Sequence, residues 1–163
     1  MRLGLRQSTP VGHGRRSALL VVLAASLALV AFASAGARAA ATPDFVVIAN
    51  SQNPIREVSV DFVAEALLKK TTRWGNGATI RPVDLAVSSA VRRRFTEHVL
   101  KRSVAAVRSY WQQRIFTGRG VPPAELDSDE AVVRYVNKYP GAIGYVGPGT
   151  KLADGKVVAL RIR

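Results

Sequence analysis

The sequence predicts an α/β fold, a small mixed β-sheet flanked by helices, and three observations predict it. The run Tyr139-Pro140-Gly141-Ala142-Ile143-Gly144-Tyr145-Val146 reads as a helix stop joined directly to a buried strand. Pro140 cannot continue a helix, Gly141 can take the positive φ of a C-terminal cap, and the residues from Ala142 to Val146 form an extended apolar run. Short β-branched runs recur upstream and alternate with stretches whose apolar residues repeat at helical spacing, the pattern of a layered α/β domain. The chain also has no cysteine, so packing must hold the domain, and neither a disulfide framework nor a thiol site is available.

Taken in order, Phe45-Val46-Val47-Ile48-Ala49 is the first strand, bounded by Ser51-Gln52-Asn53-Pro54. Ser59 caps the helix that follows, Val58 and Val63 are placed as a hydrophobic staple, and Phe62, Val63, Ala66 and Leu67 form one stripe to about Lys70. After the turn Trp74-Gly75-Asn76-Gly77, a second strand spans Thr79 to Val83, with Pro82 near its end or on an edge, and Asp84 to Ser88 makes a loop. Ser88 or Ser89 starts the next helix, in which Val91, Phe95 and Val99 recur every four residues. A further helix from Ser103 sets Val104, Val107, Trp111 and Ile115 on one face and ends at Thr117-Gly118. Val121-Pro122-Pro123 is an extended linker. Asp127 and Glu130 form a capping box for a last helix through Lys138, whose inner face is Val132, Val133 and Val136. Beyond the opening strand, Gly147-Pro148-Gly149 turns the chain, and Lys156 to Ile162 forms a final edge-like strand. Gly144 permits close approach of a ligand or another backbone; plain packing is the simpler use.

Residues 1–39 read as an export signal: basic Arg2, Arg6, Arg15 and Arg16, an apolar stretch from Ala18 to Ala33, and small residues ending in Ala37-Arg38-Ala39. Cleavage is expected near Ala39 to Ala41, which leaves residues 40–163 as one domain in the periplasm or outside the cell, with no further membrane span. The same stretch is long enough for an uncleaved anchor, and Arg15-Arg16 permits a twin-arginine route beside the general one. The whole chain carries a formal net charge of +13. Nineteen of its 24 basic residues and all 11 acids follow Ala39, so the mature part is basic at +8. Such a charge suits anionic ligands, acidic envelope polymers or lipid headgroups. The basic residues are spread along the chain with no nucleic-acid-binding motif, and an exported protein has little access to nucleic acid, so none is expected as a partner.

Catalytic constellations are absent. His98, the one histidine after the signal, sits beside Glu97, and no metalloprotease HExxH, nucleophile elbow, phosphate-loop lysine or dinucleotide turn occurs. Asp61 and Glu65 lie four apart on a helix, the spacing of a solvated face. No enzyme, metal or cofactor is expected. The start of the helix at Ser88-Ser89-Ala90-Val91 has a physical mechanism for holding an anion: free N–H groups, the positive end of the helix dipole and two hydroxyls. Arg92 is the basic residue best placed to add charge, since Arg92-Arg93-Arg94 fan about 100° apart and cannot form one face. The simpler use of the same residues is a serine cap with nothing bound.

Four stretches together resemble the phosphate-binding members of the type II periplasmic binding proteins, the solute receptors of ABC uptake systems. They are Phe62 to Lys70 with Arg73-Trp74-Gly75-Asn76-Gly77; Ser88-Ser89 through Phe95-Thr96; Ser109-Tyr110-Trp111 through Phe116-Thr117-Gly118; and Pro140 through Val146, the most specific. The resemblance implies a single lobe of the two that close over a ligand in full receptors. It implies phosphate or another oxyanion as ligand, held by Ser88, Ser89 and Arg92, and an ABC permease, a second lobe or a second copy as partner, in uptake or sensing. The family's loop has an arginine followed by Ser-Gly-Thr. Here Ser89 retains the serine, Ala90 and Val91 replace the glycine and threonine, and Asp84 lies near the arginine's place, where a carboxylate would repel a dianion. The alternative expectation is an interaction module of the cell envelope that binds a protein or acidic polymer through its basic surface.

Overall fold

Strand β5, Ala142–Val146, is buried along its whole length, and the sheet is built around it. The computed structural model describes residues 44–163; the export signal expected at 1–39 and its expected cleavage near Ala39 to Ala41 lie outside them. β5 pairs antiparallel with β1, Val46–Asn50, and parallel with β3, Arg81–Leu85. β3 in turn pairs parallel with β4, Ala124–Leu126, and β1 pairs antiparallel with β6, Val157–Ala159. The order is β4-β3-β5-β1-β6, a mixed five-stranded sheet. A second, two-stranded sheet joins β2, Glu57–Val58, to β7, Arg161–Ile162.

Four helices, α1 Val60–Leu67, α2 Ala90–His98, α3 Val104–Phe116 and α4 Asp129–Lys138, complete the α/β domain. Each begins at a serine, Ser59, Ser89, Ser103 and Ser128, whose side chain accepts a backbone N–H three residues on. Successive strand residues point to opposite faces, so Gly144 and Tyr145 separate two helical layers. A Cβ added at Gly144 would lie 2.7 Å from Val83 Cγ1 and 2.9 Å from Val132 Cγ1. The glycine therefore lets α4 sit close on the sheet, which is the packing use. Tyr145 points the other way and stacks on Phe95 of α2, with ring centroids 3.7 Å apart and planes within 1°.

The second strand sits two residues later than its apolar run suggests, at Arg81–Leu85, so Asp84 belongs to the sheet and not to a loop. The cause is β4, which pairs Val83 with Ala124, Asp84 with Glu125 and Leu85 with Leu126. Ala124-Glu125-Leu126 carries no strand signature of its own; it forms because β3 offers an unpaired edge. Pro82 is inside the sheet rather than at an edge. The Arg81 N–H donates to Gly141 O, so the next residue's missing N–H faces the β4 side, where that ladder begins only at Val83.

Other boundaries also move. α1 stops at Leu67, short of Lys70, because Lys69 takes φ 50°. Ser128, not Asp127, caps α4. Ile115 is more than half exposed, since α3 buries only Val107 and Trp111. The last strand is two, β6 and β7, which part at Leu160 and enter different sheets. Gly141 is not among the glycines at positive φ. Among the described residues, no helix is long and apolar enough to cross a membrane.

Candidate ligand site

β3, β4 and β5 run parallel, so their carboxyl ends gather at one edge of the sheet, where open α/β sheets place their ligands. The starts of α2 and α4 and the Gly147 turn meet there. A Cβ at Gly147 would lie 2.9 Å from Asp129 Oδ2 and 3.3 Å from Val91 Cγ2, so a side chain here would press on the first residues of both helices. Asp129 accepts from the Gly147 N–H at 2.8 Å and from the Thr150 hydroxyl at 2.9 Å.

Ser89 holds its extended backbone at φ −65° and ψ 128°, and its Oγ accepts from the Arg92 N–H at 3.2 Å. It is the helix cap. Ser88, one residue earlier, is exposed. The first-turn N–H groups of Ala90 and Val91 have no helical carbonyl in reach, because the four leading donors of any helix lack one.

Arg92 is only 3% exposed. Its guanidinium turns away from the helix start, donates to Leu85 O, and pairs with Glu125 Oε1 at 2.7 Å and with Asp84 Oδ2 at 3.1 Å. Asp84 Oδ1 also accepts from the Tyr145 hydroxyl and from the Leu85 N–H at 2.9 Å. One buried guanidinium thus faces Asp84 and Glu125, with Asp129 nearby at the same edge, so carboxylates outnumber the paired cation in an otherwise basic protein. Asp84 and Glu125 already compensate the Arg92 charge, so a ligand competes with them for it. Glu125, about half exposed, is the one that water can solvate on release.

Burial pushes the Asp84 carboxyl above the ordinary range. Arg92, the Tyr145 hydroxyl and the Leu85 N–H oppose the rise, and Glu125 adds to it. Burial, then the Asp84 charge, pushes the Tyr145 hydroxyl up strongly, so it remains a neutral donor. A carboxyl whose folded value is raised holds its proton more tightly in the folded state. Its stabilising contribution is full below the ordinary value near 4 and is lost as pH climbs through the folded value. Asp84→Asn removes that loss. The stability of the wild type minus that of the variant should therefore decline as pH rises above about 4, read by urea unfolding at a series of pH values. A difference that does not change with pH would show that Asp84 titrates alike in folded and unfolded chains.

His98 lies at the other end of α2, exposed, with Nδ1 2.8 Å from Arg94 O. Among the described residues no cluster of three metal-ligating side chains occurs. Ser88, Ser89 and Arg92, expected from the sequence at one helix start, all lie there, with the Arg92 side chain directed inward. Glu125 and Tyr145, which the sequence does not single out, complete the network. The available signal was an acid, Asp84, between the strand residues Val83 and Leu85, since a buried acid requires partners.

The fold, a mixed five-stranded sheet with four helices, has counterparts among solved structures. Of three solved structures similar to this chain, two are described as phosphate-transport binding proteins. A proposed phosphate ABC transporter substrate-binding protein from Clostridium perfringens, with bound phosphate, matches 73% of this chain and 44% of its own at TM-score 0.58 and 20% identity. PstS from Borrelia burgdorferi matches 74% of this chain and 47% of its own at TM-score 0.58 and 14% identity. An ABC-type phosphate transport receptor from Vibrio cholerae matches 73% and 46% at TM-score 0.51 and 15% identity. The chain therefore spans less than half the length of these structures, and at such identities the likeness is one of fold. No family model and no curated protein matches the chain.

Proposed function

We propose that this chain is a non-catalytic, exported binding lobe that takes phosphate or another oxyanion and serves ABC-type uptake or its sensing. The observation that carries the reading is the fold shared with phosphate receptors, one of which holds phosphate. The start of α2 at the carboxyl ends of the parallel strands supports it. In this reading the ligand sits against Ser88, Ser89 and the Ala90 and Val91 N–H groups, and competes with Asp84 and Glu125 for Arg92. The periplasm or the exterior is the compartment, and a permease, a second lobe or a second copy supplies the other wall.

A second reading is favoured by one observation, the internal pairing of Arg92 with Asp84 and Glu125. With its cation spent, the lobe keeps the fold and acts as an interaction module of the envelope.

Calorimetric titration of the exported protein with phosphate and with sulfate, at low and moderate salt, separates the two. Saturable one-site binding that survives moderate salt supports the oxyanion reading. Ser89→Ala should then weaken it about tenfold and, by removing the cap, lower stability by about 1 kcal/mol. No binding by calorimetry and by a second method leaves the interaction module. Wild-type affinity in Ser89→Ala would remove this site from the reading.

A further inference from the structure

We infer that the C-terminal end of α3 is a docking surface for an anionic lipid bilayer. The large apolar side chains that stand exposed among the described residues are Val87, Ile115, Phe116 and Val121. Two of them, Val87 and Ile115, line a groove of about 370 Å³ whose other walls include Trp111, Pro122, Arg108 and the Arg92 and Glu125 pair; Phe116 and Val121 follow in the chain beside Ile115 and Pro122. Phe116 is 95% exposed, the residue that ends α3. The chain then leaves through Gly118 and Gly120, both at positive φ, and a Cβ at Gly118 would meet nothing. No neighbouring side chain shields the ring.

Charge identifies the partner's chemistry. Between Ala90 and Gly120, eight basic residues stand against the single acid Glu97, whereas the rest of the described chain holds eleven basic and ten acidic residues. Nearly all of the net charge therefore lies on α2, α3 and the turns that follow them. Arg93, Lys101, Arg102, Arg108 and Arg119 are exposed, and Arg94, also exposed, pairs with Asp44 at 3.4 Å. The Arg114 Nη2 donates to Arg119 O at 2.7 Å and so holds the turn behind Phe116. A like-charged second copy would be repelled. A compact acidic protein would need its charges matched at the groove, but these cations are spread along both helices, from Arg93 to the turn beyond Phe116. Diffuse attraction by basic residues, with an aromatic ring entering the headgroup region, is how a peripheral protein holds an anionic leaflet. The groove shares Arg92 and Glu125 with the candidate ligand site, so the test includes free phosphate as a competitor.

The test uses protein recovered after export, with its N-terminus read by mass spectrometry so that the apolar leader does not contribute. Cosedimentation with phosphatidylcholine vesicles, with and without phosphatidylglycerol, should show binding only to the anionic vesicles, falling as salt rises. Phe116→Ser should weaken that binding about tenfold with an unchanged melting temperature, because the side chain packs on nothing in the folded protein. Arg119→Glu should weaken it as well. Excess free phosphate at constant ionic strength should leave it unchanged. No sedimentation with anionic vesicles at low salt overturns the proposal. So does wild-type binding by the Phe116→Ser, Val121→Ser double variant, or competition by free phosphate, which would move the contact to Ser88 and Ser89. Equal, Phe116-independent binding to soluble polyglutamate would also overturn it, in favour of an acidic polymer or protein.

Discussion

Arg92→Met should cost about 3–5 kcal/mol of stability at neutral pH, the range for breaking a buried pair by removing one partner. The methionine fills much of the arginine's volume, so the loss is electrostatic rather than a cavity. Leu85 O loses its donor, and Asp84 keeps only the Tyr145 hydroxyl and the Leu85 N–H. The carboxyl then escapes the cost by taking up a proton, since Arg92 is the largest influence opposing its upward shift. The penalty should accordingly be smaller near pH 5 than near pH 8, as urea unfolding of wild type and variant at the two values would reveal. Adding Asp84→Asn should recover a large part of it at neutral pH, because a neutral amide is far cheaper to bury than an unpaired carboxylate. Glu125→Gln, at the half-exposed arm, should cost at most about 1 kcal/mol. An Arg92→Met penalty no larger than that of Glu125→Gln would show that the pair contributes nothing beyond a surface bridge.

The same residue shows where a sequence is readable and where it is not. Among the apolar elements the reading is direct. The residues from Ala142 to Val146 form a buried strand, and Val132, Val133 and Val136 form the buried face of α4, because burial on one side imposes a period that composition displays. Serine caps are equally local, and three of the four were legible; Ser128 was displaced by its acidic neighbour Asp127, another good cap. β4 was not legible, since Ala124-Glu125-Leu126 becomes a strand only by pairing with β3. Arg92 looks like its neighbours Arg93 and Arg94 in sequence, yet it is buried and they are exposed. Helical phase puts it beside Phe95 and Thr96 on the sheet side, but phase alone does not name Asp84, Glu125 and Tyr145 as its partners. Those come from three different strands, and their meeting is a property of strand order. The candidate site was therefore visible as a helix start and invisible as a charge network.

Gly141→Ala should be the most damaging single-atom change in the fold, at about 3 kcal/mol, the upper end for overpacking, because the added atom meets backbone rather than a movable side chain. A Cβ at this position would collide with Thr79 O and lie 3.2 Å from Thr79 C. The carbonyl of Gly141 is already committed twice, to the Arg81 N–H at 2.9 Å and to the Trp74 indole N–H at 3.0 Å. Moving the glycine aside therefore pulls on the entry to β3 and on the buried Trp74 ring together. Sequence reasoning assigned this glycine a left-handed cap, and the two explanations separate experimentally. If positive φ were the requirement, asparagine, which tolerates that region, would be accepted better than alanine. If close approach is the requirement, Gly141→Asn should be at least as harmful as Gly141→Ala, since any Cβ meets Thr79. Chemical unfolding of the two variants decides it: a clearly more stable asparagine variant would restore the cap, and the reverse order confirms that the strand joins its helix through a gap only a hydrogen atom can fill.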